Sequence, residues 1–520
     1  MSEHDVVIAG AGHNSLVTAA YLAKAGFSVV VLEAQTHIGG DAATAELTLP
    51  GYLHDSCSTA HTLLQGSPLI ANDELRLADY GLEYIRPDPV VHIPFPDGTS
   101  ITMWRDIERT ISEFAAFSSS DAAAYRAMID DYASVAPAFG KWRNTPIGRG
   151  PSLDEHLALI DGGHRWQRIR QWSAADIVNR HFEHPHTRAF MMWMSLMTMQ
   201  PPQRAGTGQL AYSLAFGRQR HSWIVPRGGS GQLPAALGRI IEEHGGTILT
   251  DRKISSLIIE GGRCVGVETE SGETFRGAKA VMSTIHVKHL VDMAPAELWG
   301  EQYSYGVATW RAGISMCAAH YATEEPPTFA DGLTPLASGT PTTAENVLRI
   351  AGQFERGEVV LEDPVLLVLC PTVVDESRAP AGKHTLKVVG VQPYELAGGP
   401  EAWDDLMPRV AAANLDHLRR YAPNLTEEKF LATCLKSPLD LERMNPHNWH
   451  GSCHGGDMSA DQSGTLRPAA GWADHRTPIP GLYQTGSTTH PGGSVSAGPG
   501  RNAAMILLED LGSTLEAAIG

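Results

Sequence analysis

Apolar residues first come in an unbroken run, Val6–Ala9, and then at helical spacing from Leu16 to Ala23. An unbroken run marks a strand buried on both faces, as in a parallel sheet. The second pattern, with alanines at 19, 20 and 23, predicts a helix over 14–25 packed closely on that sheet. Gly26 ends the helix and Phe27–Leu32 supplies a second strand, so residues 5–33 read as strand, glycine turn, helix and strand. A related pattern closes the chain: 481–511 gives a short apolar strand, a glycine-rich loop and a final helix.

Between these ends the periodicity changes several times. Residues 35–65 read as glycine- and histidine-bearing loop, with Pro50-Gly51 as a turn. Residues 105–145 turn helical, with Ser120-Asp121 as the expected N-cap. After Gly228-Gly229-Ser230-Gly231 a helix is predicted over Gln232–His244. Strands follow at Thr247–Thr250, Ile254–Glu260, Cys264–Thr269, Thr274–Arg276 and Ala280–Ser283, with hairpin signals at Gly261-Gly262 and Ser271-Gly272. Further on, strands are expected at Val365–Cys370 and Thr385–Val391 and a helix over Trp403–Tyr421. The proline- and threonine-rich stretch 325–343 reads as a surface loop or lid. At 520 residues the chain exceeds one compact core. It shows no repeat or low-complexity linker, so interleaved domains in an α/β (α+β) architecture are expected.

Net charge is −18 with the acids spread along the chain, which leaves no basic stripe to neutralise phosphates and argues against nucleic acid as a partner. Cys57, Cys264, Cys317, Cys370, Cys434 and Cys453 form no CxxC and no metal-ligand spacing, so reduced thiols and no metal site are expected. No apolar run approaches the length of a membrane span; Ala189–Met199 is too short and ends at Gln200-Pro201-Pro202. With the first strand starting by residue 5, no leader peptide is read. The expectation is a cytoplasmic protein, with peripheral membrane contact compatible with the sequence.

The first turn carries chemistry. In GAGHNS, Gly10 permits a tight turn and Gly12 lets the backbone approach a pyrophosphate at the positive end of the helix, beside His13 and Asn14. Ser15 stands where the dinucleotide fingerprint has a third glycine, and is small enough to preserve close helix–strand packing. Glu33 ends the second strand, where a carboxylate accepts hydrogen bonds from a ribose. Gly39-Gly40 lets a second loop close over the same pyrophosphate, which favours FAD over NAD. No second strand–GxGxxG–helix unit occurs. A separate pyridine-nucleotide domain is therefore not expected, although loosely bound NAD(P) stays open, and electrons are expected to leave to an acceptor such as dioxygen or a quinone.

These and further segments resemble the phytoene-desaturase-like FAD oxidoreductases (carotenoid desaturase and retinol saturase type), which have a glutathione-reductase-like FAD fold. More narrowly, they are similar to the branch named for pyridine nucleotide-disulfide oxidoreductase domain-containing protein 2. The resemblance rests on GAGHNSLVTAAYLAKAG, HIGGDAAT, PGYLHDSCST, PRGGSGQLPAAL, DESRAPAGKHTL, CHGGDMSADQ, LRP and THPGGSVSAGPGRNAA. Ser15 departs from it, as does Asp41, which stands where relatives often carry Arg or a small residue. The resemblance implies an FAD-binding domain over 1–80, 220–290 and 455–520, and a substrate domain over 81–219 and 291–454. It places the ADP half of FAD on Gly10, Gly12, Glu33, Gly39 and Gly40, and adenine at Ile254. The ribityl chain and flavin ring would lie at Gly486, Ser487, Gly492, Gly493, Ser494 and Val495.

Catalytic groups are sought near these loops: His490, His54 and Asp55 are the candidates, with His61 and His454 behind them, and a structural role weighs more heavily for each. The methionines Met191, Met192, Met194, Met197 and Met199 with Trp193 favour core packing over an adaptable pocket. The implied activity is removal of two hydrogens from a hydrophobic or alicyclic small molecule, with hydride passing to flavin. An isomerase or saturase on the same scaffold, or a non-catalytic flavoprotein with an interaction role, are the alternatives. Gly12→Val is expected to give colourless, poorly folded protein.

Overall fold

A computed structural model describes residues 2–519. The strand Ser2–Ala9 lies at the centre of a seven-stranded sheet, parallel to Val29–Leu32 on one side and Thr274–Ser283 on the other. Thr247–Leu249 extends it in parallel beyond Val29–Leu32. The hairpin Ile254–Glu260 and Arg263–Thr269 extends the opposite edge, and Leu482–Gln484 joins in parallel to Val281–Ser283. The two ends of the chain thus share one sheet. Thr274–Arg276 and Ala280–Ser283, expected as separate strands, are one irregular strand. Its register against the first strand shifts between Gly277 and Ala280, and a Cβ on Gly277 would come within 2.2 Å of the Ala280 carbonyl oxygen.

The helix His13–Lys24 is buried along most of its length because it is covered on two sides. Its apolar side chains share a core with the central strand, the helix Gln232–Glu243 and the closing helix Gly498–Asp510. Gly500 permits the helix crossing: a Cβ there would lie 2.2 Å from the Asn14 carbonyl oxygen. In the space so kept, Thr18 Oγ1 donates to the Gly500 carbonyl at 2.8 Å.

A second seven-stranded sheet runs in the order Phe430–Lys436, Met316–Thr323, His384–Val391, Leu366–Leu369, Ala337–Gly339, Val91–Pro94 and Ser100–Met103. Helices from the 105–221 region, including Ser119–Arg143, Pro185–Leu196 and Leu210–His221, pack into one large core beside it.

Three local expectations need correction. The long helix starts at Ser119 with Ser118 as N-cap, accepting from Asp121 N–H at 3.2 Å; Asp121 instead faces inward and accepts from Glu183 and His184 N–H, both at 2.9 Å. Residues 325–343 are not all surface loop, because Ala337–Gly339 is a buried strand of the second sheet. Gly339 is required there by the Trp193 indole, which would lie 2.3 Å from a Cβ. Within 35–65, Thr44–Glu46 and Leu53–Asp55 form a small antiparallel hairpin.

Candidate FAD site and substrate cavity

A single cavity of about 1250 Å3 runs from the Gly10–Asn14 turn of the first sheet to the helices and the second sheet. At its first end Glu33 is held in place: Oε2 accepts from Ala11 N–H at 2.7 Å and Oε1 from Gln35 N–H at 2.9 Å. Burial raises the Glu33 carboxyl against the pull of these donors. Ile254 lines the same end, beside Arg252, which pairs with Glu273 at 2.7 Å.

The glycine turn follows. Gly10 has φ +97° and no room for a side chain, since a Cβ would meet Thr284 Cγ2 at 2.4 Å. Gly12 differs: at φ −66° its Cβ position has no neighbour nearer than 4.0 Å, so it faces open cavity. Gly39 N–H donates to the Ala11 carbonyl at 2.8 Å, which draws the second glycine loop over the first. Asp41 also lines the cavity, held by Asn445 Nδ2 at 3.0 Å and Asn448 Nδ2 at 2.9 Å. Burial raises its carboxyl. Ser15 lies beneath the turn, outside the cavity lining, with its hydroxyl 2.6 Å from the Gly10 carbonyl and 2.9 Å from that of Gly12.

The C-terminal glycine loop forms the facing wall. Gly486, Ser487, Gly493, Ser494 and Val495 line the cavity; Gly492 does not, being packed against Met458. Arg467, fully buried, braces this loop by donating to the carbonyls of Ser487, Asp457 and Gln462 at 2.5–2.9 Å. The closing helix points its N-terminus at this region, giving a partial positive charge.

The residues expected for proton transfer sit elsewhere. His54, Asp55, His61 and His490 do not line the cavity, whereas His454 does. Asp55 accepts from Thr44 Oγ1 and Ser230 N–H, both at 2.8 Å, and His54 Nε2 lies 2.8 Å from Thr48 Oγ1. His61 bridges Tyr84 and Ser230, and His490 Nε2 donates to the Trp142 carbonyl at 3.0 Å. Burial pushes His54 and His454 down to about 4 and His61 and His490 to about 3, so all four are neutral near pH 7.

Beyond the glycine loops the cavity is walled by Phe139, Trp142, Met197, Leu214, Phe216, Met316 and Val389. Met197 and Met199 line it, while Met191, Met192 and Met194 belong to the core. Among these walls the sequence singles out only Met197, within the methionine cluster weighed as a pocket; Phe139, Trp142, Leu214, Phe216, Met316 and Val389, with Asn445, His447, Arg218 and Trp223, are not read from it as lining.

The geometry suits a long dinucleotide. A carboxylate stands at one end and a side-chain-free turn in the middle, where His13 Nε2 and Asn14 Oδ1 are buried without partners and line the cavity. Residues 16–498 match the family of flavin containing amine oxidoreductases. The chain belongs to that family. Its cofactor is FAD and it is an oxidoreductase. Among similar proteins, pyridine nucleotide-disulfide oxidoreductase domain-containing protein 2 of Rattus norvegicus is 27% identical, over 98% of this chain and 94% of its own. A limonene dehydrogenase subunit of Castellaniella defragrans is 26% identical, over 98% and 95%. A redesigned putrescine oxidase has the same fold, with a TM-score of 0.66 at 14% identity over 98% of this chain and 99% of its own. Among the described residues, no helix is long and apolar enough to cross a membrane.

Proposed function

We propose that this oxidoreductase removes two hydrogens from adjacent atoms of an apolar or alicyclic small molecule. The observation that carries the reading is the continuation of the cofactor cavity into an apolar chamber walled by Phe139, Trp142, Met197, Phe216 and Val389. Such walls exclude water and hold a hydrocarbon C–H at reacting distance. The similar limonene dehydrogenase, named for an alicyclic hydrocarbon, supports the substrate class.

The flavin, when bound, supplies the hydride acceptor. Glu33, Ile254 and the Gly10–Asn14 turn hold its nucleotide half, and Gly39 and Gly40 close over the pyrophosphate. Gly486, Ser487 and Gly493–Val495 hold the ring. This assigns 1–80, 220–290 and 455–520 to cofactor binding and 81–219 and 291–454 to the substrate. The neutral cavity histidines His13, His447 and His454 are candidate acceptors for the second proton, since burial pushes each down to about 4. Electrons then leave to dioxygen or a quinone.

Anaerobic mixing of the yellow protein with alicyclic and linear hydrocarbons tests the reading. Bleaching of the flavin band with formation of a new double bond is expected. A band that no apolar molecule bleaches, with or without a polar headgroup, although dithionite does, overturns it. Reoxidation by dioxygen against a soluble quinone identifies the acceptor.

A further inference from the structure

Arg218 is an unusual wall for an apolar chamber. It lies on the helix Leu210–His221, lines the cavity and is 8% exposed. Its Nη1 donates to Thr62 Oγ1 at 2.6 Å and its Cζ sits 3.5 Å from the centre of the Trp223 ring. Its Nε is buried without a hydrogen-bond partner, and no carboxylate among the described residues pairs with it. Two further cavity-lining groups are also unpartnered: Nε1 of Trp223, whose ring the guanidinium faces, and Thr59 Oγ1, three residues before the Thr62 that Arg218 holds. A buried guanidinium without a counter-charge is costly, and a neighbouring indole face offsets only part of that.

The surrounding charges run the same way. Arg143 also lines the cavity without a carboxylate partner. The cavity-lining acids are at the nucleotide end and already engaged: Glu33 by backbone N–H groups, Asp41 by Asn445 and Asn448, Glu270 by Lys253. A protonated amine would meet cations at this end, so the chamber does not suit the substrates for which the family is named.

We propose that Arg218, Trp223 and Thr59 form an anion-binding subsite, and that the substrate is an apolar chain or ring bearing a carboxylate or a phosphate monoester. This rests on the dehydrogenase reading above and narrows its substrate class. A buried guanidinium with an unmet Nε beside an unmet indole N–H is the complement of such a headgroup, and the apolar walls take the remainder.

Calorimetric titration of the flavin-loaded protein with decanoate, decyl phosphate, decan-1-ol and decylamine tests it. The anions should bind about tenfold or more tighter than the alcohol, as charge-assisted hydrogen bonds require, and the amine weakest. The tighter of the two anions identifies the headgroup. Arg218→Gln should abolish the preference while leaving the alcohol affinity and the flavin content as they were; Arg218→Lys should keep part of it. Trp223→Phe, which retains the stack but removes one donor, should weaken the anions alone. Equal affinities for all four probes in the wild-type protein overturn the subsite, whether or not the variants fold. So does an Arg218→Gln protein that still prefers the anion. Flavin bleaching by a neutral hydrocarbon alongside equal probe affinities would retain the dehydrogenase and remove only this inference.

Discussion

The Asp55 carboxylate meets the Arg378 guanidinium at 2.8 Å with both side chains closed off from solvent. Asp55 also receives Thr44 Oγ1 and Ser230 N–H, so one carboxylate ties the 44–55 hairpin to the loop before the helix Gln232–Glu243. Removing either partner alone leaves a buried charge uncompensated, at a cost of about 3–5 kcal/mol. Asp55→Ala and Arg378→Ala should each lower the urea midpoint sharply. The joint Asp55→Asn, Arg378→Met variant should recover part of the loss. A catalytic Asp55 would show the opposite pattern, with turnover lost at an unchanged midpoint.

Gly12→Val separates folding from cofactor binding. The sequence alone suggests a poorly folded product, but the open space around the Gly12 Cβ position removes the steric reason for that. Valine at the N-cap of His13–Lys24 lowers stability by about 1 kcal/mol at most, because glycine there makes no side-chain cap. Its methyl groups project into the cofactor cavity instead. The expected product is folded by circular dichroism and colourless. Gly10→Val, which must meet Thr284 and adopt positive φ, should fail to fold.

The nucleotide end was legible for a physical reason: parallel strands, glycine turns and a terminal acid are local patterns. Val6–Ala9, Ile254–Glu260, Gly12 and Glu33 need no knowledge of distant contacts. Ala337–Gly339 is different, since it is a strand because Trp193 and the neighbouring strand cover it, and its own residues carry no β signal. The chamber walls were hidden for the same reason: periodicity over 105–145 shows that Phe139 lies on a helix but not which face of it meets a cavity. His490, His54 and Asp55 show the converse, because closeness to a glycine loop in sequence says nothing about where a side chain points.

Buried histidines should make the protein acid-labile. Burial pushes His13, His447, His454 and His475 from an ordinary 6.5 down to about 4. The unfolded chain therefore takes up protons first as pH falls below about 6.5, and the folded protein follows only near 4. The stabilisation is complete above pH 6.5 and is lost as pH falls through that window, by up to about 1.4 kcal/mol per pH unit for each group. Melting temperature measured between pH 7.5 and 4.5 should be level at first and then drop steeply. A level profile down to pH 5 would show that these rings titrate in the fold as they do in the unfolded chain.

His490 acts on the cavity through Trp142. Its Nε2 holds the Trp142 carbonyl at 3.0 Å, the two rings lie 4.7 Å apart edge to face, and only Trp142 lines the chamber. His490→Ala strands that carbonyl, at a cost of about 1–3 kcal/mol, and loosens a wall of the chamber proposed to hold the substrate. KM should rise while flavin content and the pH profile of kcat stay unchanged, since burial keeps His490 neutral across the working range. His490→Gln, which can still donate to the carbonyl, should restore most of the affinity. A proton-transfer role would appear instead as a lost inflection in the kcat profile that glutamine fails to rescue.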